Sequence, residues 1–334
     1  MMKYLKLFES FNEEDIHSIC EKYGIINYTI NEDGSIDVDG YIDLSERGLI
    51  KLPLKFNKVN GNFDCSNNKL TSLEGCPEKI GGNFYCSNNK LTSLEDCPKE
   101  INGNFNCSGN LLTSLKGCPE KVNGHFFCSY NRLTSFKYCP KEIHGGIYCN
   151  NNKLTSLEGC PNEINGDFYC SGNLLTSLEG CPKEIGGNFS CRDNFLTSLE
   201  GCPKEIGGNF YCYRNKLTSL EGCPEEINGD FYCSWNKLTS LEGCPEEIYG
   251  DFSCSNNKIT SFDHLPFSID GDFKCKSNPI YEIWKLFKDY SKIDLFNDCD
   301  PIREPNIIIL DRLNFFLEKI GKQPVSEVKG YKCI

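Results

Sequence analysis

Hydrophobic and polar positions follow one pattern along most of the chain, and the pattern recurs every 21 residues. In one copy, Phe84 and Cys86 alternate with polar or exposed neighbours, which is the period of a β-strand with one buried side. Leu91 and Leu94 follow after a polar turn and add two more apolar positions. A fixed internal period indicates units that stack into one continuous body, so the pattern predicts short parallel strands in register.

Cysteine defines the register of the repeat. One series has a spacing of 21 residues: Cys65, Cys86, Cys107, Cys128, Cys149, Cys170, Cys191, Cys212, Cys233, Cys254 and Cys275. A second series has the same spacing: Cys76, Cys97, Cys118, Cys139, Cys160, Cys181, Cys202, Cys223 and Cys244. Of the 23 cysteines, Cys20, Cys299 and Cys333 fall outside both series. The repeat is therefore present eleven times, and a degenerate copy precedes it from Gly40.

Within each repeat, Asn89 and Leu91 stand at the offsets of the pattern L-x-L-x-x-N-x-L. The stretch resembles the short leucine-rich repeats of bacterial proteins, which carry N-x-L-T-x-L-P. It departs from them by one additional residue before the strand and by Cys at two inward positions. The resemblance implies an α/β repeat solenoid, in which about twelve coils form a leucine-rich-repeat-like curved parallel sheet.

One asparagine per repeat faces inward beside the leucines, in a column that runs from Asn68 and Asn89 to Asn278. A buried amide is tolerated only where it is hydrogen-bonded. We therefore expect these side chains to satisfy backbone groups at the bend after the strand, which makes the column structural.

Both ends of a solenoid need caps, because a terminal repeat lacks a neighbour on one side. Residues 3–22 predict an amphipathic helix or two short ones, and Tyr28–Ile30 with Ser35–Val38 predict a hairpin. After the last repeat, one helix is expected from Ile280 and another over Asp311–Ile320. The predicted segments are 1–37, an N-terminal cap of helix and hairpin; 38–279, the solenoid; and 280–334, a C-terminal helical cap.

The cysteines are interpreted as buried core thiols. Metal clusters need closely spaced thiolates such as C-x-x-C, which the chain lacks, so neither a metal nor another cofactor is expected. Stacked strands place like residues ~4.8 Å apart with parallel Cβ vectors, whereas a disulfide favours Cβ atoms ~3.8 Å apart. Free cysteines in this number fit a reducing compartment.

Charge and terminal sequence exclude several classes of function. The net charge of −12 disfavours a nucleic-acid partner, which requires an excess of Lys and Arg. The N-terminus lacks the apolar core of a signal peptide, and no segment approaches the ~18 apolar residues of a membrane span. We therefore expect a soluble, cytoplasmic protein without a membrane partner. The four histidines are scattered, so no enzyme activity is predicted.

The outward strand positions contain the candidate partner-binding residues. Function in a solenoid usually resides on the concave strand face, and here six of eleven outward positions are aromatic. Neighbouring columns, otherwise mostly Ser, Asn and Gly, add further aromatic and Arg residues. These residue types dominate interface energies. The candidates are Tyr85, Phe127, Tyr130, Tyr148, Tyr169, Arg192, Tyr211, Tyr213, Arg214, Tyr232 and Trp235.

Three stretches extend the comparison with known families: the opening Lys3–Phe11, the first repeat Val38–Ser45, and the repeated unit Leu-Thr-Ser-Leu-Glu-Gly-Cys-Pro. Together they resemble leucine-rich-repeat proteins of large tailed bacteriophages, over nearly the whole chain. The resemblance implies no established activity. It implies a setting in the infected bacterial cytoplasm or in a virion.

The leading hypothesis is a non-enzymatic scaffold that binds a host or phage protein, and inhibition of a host defence protein is one such role. Stacked tyrosines could instead serve only as cross-strand neighbours that stabilise the sheet. That alternative leaves Arg192, Arg214 and Trp235 unexplained. A structural virion component, a carbohydrate-binding solenoid and self-association are the other hypotheses left open.

Overall fold

The structure, a computed structural model, describes residues 12–334, so residues 3–11 of the predicted N-terminal helix lie outside the described residues. The chain divides into two compact units: unit 1 ends at Asn173, and unit 2 comprises Leu174–Ile334. Each unit is a parallel-strand solenoid built from the 21-residue repeat. A repeat contributes a back strand and then a front strand, which begins at the Phe position.

The front strands of unit 1 pair in parallel with a register offset of one repeat. Phe84 lies beside Phe63 on one side and Phe105 on the other, so identical repeat positions stack. The front strands are Ile42–Asp43, Phe63–Asp64, Phe84–Tyr85, Phe105–Asn106, Phe126–Phe127, Ile147–Tyr148 and Phe168–Tyr169. This arrangement confirms the predicted parallel sheet.

The back strands of unit 1 begin with an antiparallel hairpin, which confirms the predicted one. Its strands are Tyr28–Ile30 and Ile36–Val38, and the second of them starts a parallel series. The series continues with Phe56–Val59, Lys79–Ile80, Glu100–Ile101, Lys121–Val122 and Glu142–Ile143, and Glu163–Ile164 is the last back strand of the unit. No strand was predicted at these segments from the sequence.

Unit 2 repeats the same pattern. Its front strands are Phe189–Ser190, Phe210–Tyr211, Phe231–Tyr232, Phe252–Ser253 and Phe273–Lys274. Its back strands are Glu184–Ile185, Glu205–Ile206, Glu226–Ile227, Glu247–Ile248 and Ser268–Ile269. Parallel pairs one repeat apart again hold the front strands together.

Stacked phenylalanines fill the core behind the front strands. In unit 1 the rings of Phe84 and Phe105 stack at a centroid distance of 5.5 Å, and in unit 2 those of Phe210 and Phe231 stack at 5.4 Å. All four side chains are fully buried. Burial of each such side chain contributes roughly 1.5–3 kcal/mol to stability. The phenylalanine column is thus a main source of cohesion between repeats.

The inward asparagines satisfy backbone groups at the bend, as predicted, and they also bridge successive repeats. Asn89 donates through Nδ2 to the carbonyl of Cys86 in its own repeat (3.2 Å) and to that of Cys65 in the preceding one (3.0 Å). Its Oδ1 accepts the backbone N–H of Leu70 at 2.9 Å. The same set recurs along the column, for example at Asn110 and Asn215. Each asparagine therefore satisfies groups that the strand ends leave unpaired.

A second side-chain ladder, not predicted from the sequence, precedes the front strands. Asn62 Oδ1 accepts the backbone N–H of Asn83 at 2.8 Å, and Asn83 Oδ1 accepts that of Asn104 at 2.7 Å. This ladder also explains a recurring glycine. A Cβ atom on Gly103 would lie only 2.4 Å from Asn83 Oδ1, so the side chain of the ladder leaves no room for one.

Helix α1, Glu13–Tyr23, precedes the hairpin of unit 1. Asn12 forms a capping box with Asp15, and the helix ends at Gly24, whose φ of 67° is left-handed. Ile16 and Cys20 are its buried residues. The predicted N-terminal helix is therefore present, in the described residues, over its second half.

Unit 2 ends in a helical segment with a small sheet. The helices are α2 (Tyr281–Phe287), a 3₁₀ turn (Tyr290–Lys292), α3 (Ile293–Cys299) and α4 (Leu310–Lys319). The strands Ile302–Glu304, Ile307–Ile308 and Lys332–Cys333, which were not predicted, form a three-stranded sheet. Phe273 of the last repeat contacts Trp284 and Tyr290 edge-to-face, and Phe262 of the preceding repeat contacts Trp284, Phe287 and Phe296 in the same way. The helical segment therefore covers the end of the solenoid, as predicted. Within residues 12–334, no helix is both long enough and apolar enough to cross a bilayer.

All 23 cysteines are free thiols, and the first series is buried throughout. Residues of the second series are partly exposed, apart from the buried Cys76. Burial nevertheless raises the thiol pKa in both series, as at Cys86 and Cys128 in the first and Cys139 and Cys223 in the second. The thiolate is the reactive form, so these side chains are poor nucleophiles at neutral pH.

We expect a thiol-specific alkylating reagent to modify the folded protein rapidly at Cys299 and Cys333 alone. Both are partly exposed and lie outside the two series, in which burial raises the thiol pKa and so keeps the side chains protonated. Mass spectrometry of peptides from protein treated at neutral pH measures the modified sites. The same treatment in denaturant is the control and should modify every cysteine. Rapid modification of most series cysteines in the folded protein would refute their assignment to the core.

Candidate functional site

Ten of the eleven candidate residues form two clusters, one in each unit, and Tyr85 belongs to neither cluster. The unit 1 cluster consists of Phe127, Tyr130, Tyr148 and Tyr169. The unit 2 cluster consists of Arg192, Tyr211, Tyr213, Arg214, Tyr232 and Trp235. Tyr85 lies between Asp64 and Asn106 in the register, so its own column provides no aromatic neighbour.

The unit 1 cluster is a fixed aromatic surface. Phe127 and Tyr148 stack at 4.6 Å with nearly parallel rings, and Tyr169 meets Tyr148 edge-on at 5.3 Å. The Tyr148 hydroxyl donates to Asp167 at 2.9 Å. Partial burial, reinforced by Asp167, raises the pKa of Tyr148 to about 12, so its hydroxyl stays neutral. Tyr130 is 66% exposed at the turn after its strand.

The tyrosines of the unit 2 cluster are also held in place by neighbours. Tyr211 and Tyr232 stack at 5.5 Å with an interplanar angle of 11°, and Tyr213 lies edge-on to Tyr211 at 6.5 Å. The Tyr211 hydroxyl accepts a hydrogen bond from Asn209 Nδ2 at 2.7 Å. The Tyr232 hydroxyl donates to Asp230 at 3.3 Å. Such preorganised, half-buried aromatic side chains lose little conformational entropy when a partner binds.

The two arginines of the unit 2 cluster are oriented by one carboxylate. The Arg192 guanidinium lies 5.3 Å from the centroid of the Tyr213 ring and also donates to the Tyr213 hydroxyl. Asp193 is 3.8 Å from Arg192 Nε and 3.6 Å from Arg214 Nη1. Exposed ion pairs of this kind contribute only ~0–1 kcal/mol to stability. Their main effect is to fix where the guanidinium groups point.

Three candidate residues have a backbone conformation that is unfavourable for residues with large side chains. Tyr130, Arg214 and Trp235 have φ values of 56°, 55° and 57°, in the left-handed region. They occupy one repeat position, two residues after the first-series Cys, where most other repeats have Asn or Gly: Asn67, Asn88, Gly109, Asn151, Gly172 and Asn256. The remaining repeats have Glu46, Asp193 and Ser277 at this position, also with left-handed φ values. Asn and Gly tolerate this region, whereas bulky side chains seldom adopt it. Folding alone therefore favours other residues at these three positions.

Sequence reasoning missed Asp193, Phe195 and Lys216, which lie on the turn beside the unit 2 cluster. Phe195 is 42% exposed, and Lys216 Nζ lies 4.6 Å from the centroid of its ring. The sequence carried a signal for two of them. Asp193 is an acidic residue in the Asn/Gly column, and Phe195 interrupts a column that is otherwise mostly Lys. Lys216 is the typical residue of that second column, so nothing in the sequence singled it out.

Comparisons with known proteins support the fold. No protein-family model matches the chain, and no curated protein matches it. Among solved structures, YopM from Yersinia enterocolitica WA-314 matches with a TM-score of 0.55 and 22% identity, over 67% of this chain and 50% of that one. A structure of YopM from Yersinia pestis, described as a leucine-rich effector protein, matches with a TM-score of 0.31 and 18% identity, over 71% of this chain and 88% of that one.

The matched region thus spans half the length of the Yersinia enterocolitica protein. At 22% identity the likeness concerns the fold alone, and the fold it supports is the leucine-rich-repeat solenoid. This agrees with the parallel register and the asparagine column of the chain itself.

Proposed function

We propose that the chain is a non-enzymatic scaffold that binds another protein through the outward faces of its front strands, with the unit 2 cluster as the principal contact. The observation that carries the proposal is the left-handed conformation of Arg214 and Trp235, which adjacent repeats bring side by side. A left-handed conformation disfavours an ordinary residue by ~1–2 kcal/mol. Residues kept at such a cost suggest a role other than stability.

The chemistry of the unit 2 cluster supports a protein as the ligand. Trp, Tyr and Arg supply most of the energy in protein interfaces, and here Trp235 is 56% exposed among tyrosines and arginines. A sugar would need open ring faces for stacking. Tyr211 and Tyr232 each give one face to the other, which favours a protein over a carbohydrate.

We further propose that this binding takes place in the cytoplasm of a phage-infected bacterium, where the chain inhibits a host defence protein. The support for this setting is the resemblance of Val38–Ser45 and of the repeat unit to phage leucine-rich-repeat proteins. Free cysteines throughout residues 12–334 also suit a reducing cytoplasm.

Capture from a bacterial host lysate tests the proposed function. With the tagged full chain as bait, we expect at least one host protein to be retained. The Tyr211→Ala/Arg214→Ala/Trp235→Ala variant should bind it at least about a hundredfold more weakly, because truncation of central interface residues costs about 2 kcal/mol or more each.

The matched control changes three exposed back-strand residues of unit 2, as Glu184→Ala/Glu205→Ala/Glu226→Ala. This control should capture the partner as the unchanged protein does. If the first triple variant still folds and leaves every captured protein in place, the unit 2 cluster is not the binding site.

A further inference from the structure

Three carboxylates stand at the start of successive front strands in unit 2: Asp230, Asp251 and Asp272. They continue the second side-chain ladder. Asp230 Oδ1 accepts the backbone N–H of Asp251 at 2.8 Å, and Asp251 Oδ1 accepts that of Asp272 at 2.9 Å. We call these three residues the acidic edge.

The ladder does not need the charge of the acidic edge. In the preceding repeats of unit 2, Asn188 and Asn209 accept the next backbone N–H at 2.8 and 2.7 Å, as well as a carboxylate does. Like charges on neighbouring strands, ~4.8 Å apart, repel one another. Lys274 offsets part of the repulsion, at 2.5 Å from Asp251 and 3.6 Å from Asp272. An asparagine at each position would hold the backbone equally well without the repulsion.

Positive charge collects at the opposite end of the same front strands. Arg214, Lys216, Lys237 and Lys258 lie on the turns after these strands, and all four are exposed. We call these four residues the basic edge. Lys216, Lys237 and Lys258 belong to consecutive repeats at one repeat position, so their ammonium groups form a row.

The stacked tyrosines separate the two edges. Tyr232 donates its hydroxyl to Asp230 on the acidic side, and Tyr213 lies at the other end of the tyrosine group, one residue before Arg214. Five front strands at ~4.8 Å spacing make this surface about 19 Å long. A helix of about 13 residues has that length at 1.5 Å per residue.

We propose that the partner presents to the unit 2 cluster a helix-length segment with an apolar stripe, a basic flank and an acidic flank. The apolar stripe lies over Tyr211 and Tyr232. The basic flank faces the acidic edge, and the acidic flank faces the basic edge. This inference rests on the proposed function and adds to it the chemistry and the orientation of the ligand, because charge complementarity selects partners and their register.

A random-peptide display library, selected against the full chain, tests the inference. We expect the enriched peptides to have acidic and basic residues segregated on opposite sides of an aromatic or aliphatic stripe. One enriched peptide is then titrated against two edge variants. One is Asp230→Asn/Asp251→Asn/Asp272→Asn, and the other is Lys216→Gln/Lys237→Gln/Lys258→Gln, which leaves Arg214 of the unit 2 cluster unchanged. Each should bind at least about tenfold more weakly than the unchanged chain, and the loss should shrink at high salt.

The control variant removes three carboxylates from the back strands, as Glu184→Gln/Glu205→Gln/Glu226→Gln, and should bind the peptide as the unchanged chain does. The asparagines keep the ladder bonds, so thermal unfolding of the acidic-edge variant should not fall below that of the unchanged chain. A selection that enriches no peptide, peptides without segregated charge, or equal binding by the edge variants would overturn the inference.

Failure of the inference can be told apart from failure of the proposed function. If an enriched peptide binds both edge variants normally but is lost with Tyr211→Ala/Arg214→Ala/Trp235→Ala, the cluster binds protein and only the charge assignment is wrong. If the peptide also binds that triple variant normally, the proposed site itself is wrong.

Discussion

Replacing a single inward asparagine, in Asn110→Ala, should lower the free energy of unfolding by about 2–4 kcal/mol. Asn110 is 5% exposed and donates to the carbonyls of Cys86 and Cys107, both at 3.0 Å. Its Oδ1 accepts the N–H of Leu91 at 3.0 Å. Alanine leaves this buried N–H without its partner. The carbonyl of Cys86 keeps a second hydrogen-bond donor, Asn89, which limits the loss of unfolding free energy.

Urea denaturation followed by circular dichroism measures the change. The matched control is Asn88→Gly, one residue before the column, where the left-handed φ of 53° is one that glycine adopts readily in the next repeat, at Gly109. We expect this control to change the free energy of unfolding by no more than about 0.5 kcal/mol. An equal effect of both substitutions would mean that the asparagine column does not hold the repeats together.

The repeat itself made much of the fold predictable from the sequence. Eleven copies of one pattern reveal which positions are apolar in every repeat, and such positions can only form the shared core. Phe84, Cys86, Leu91 and Leu94 are fully buried, and Asn89 makes the backbone contacts expected of it. The hairpin followed from its turn residues, and the helices α1, α2 and α4 followed from the spacing of their apolar residues.

The rest of the fold depends on contacts between repeats that no local pattern reveals. A back strand such as Glu100–Ile101 has two residues, too few for an alternation to appear. The second ladder looks like ordinary turn sequence, because Asn83 bonds to a backbone group one repeat away. The C-terminal sheet pairs Ile307–Ile308 with Lys332–Cys333 across helix α4, a long-range contact.

The candidate site was predictable only where one repeat differs from the next. Arg192, Arg214 and Trp235 stood out from columns of Ser, Asn and Gly. The left-handed conformation of that Asn/Gly column, and hence the conformational cost of Arg214 and Trp235, came from the backbone of the structure. Asp193 was missed because its role is to orient Arg192 and Arg214, which only their distances reveal.

Stability and binding should therefore respond in opposite directions at the unit 2 cluster. Returning Arg214 and Trp235 to the residue typical of their column, in Arg214→Asn/Trp235→Asn, removes two disfavoured backbone conformations. The free energy of unfolding should then stay the same or rise by about 1 kcal/mol. Binding should weaken at least about a hundredfold, because two central anchors are lost. Asn256→Gly, in the same column but outside the cluster, is the control and should leave binding unchanged.

The decisive measurement is the affinity of this Arg214→Asn/Trp235→Asn variant for the captured host protein, taken beside its thermal unfolding. We expect binding to be lost while the unfolding temperature is maintained or raised. A variant that binds the partner as tightly as the unchanged chain, or that loses binding only because it unfolds, would contradict this expectation.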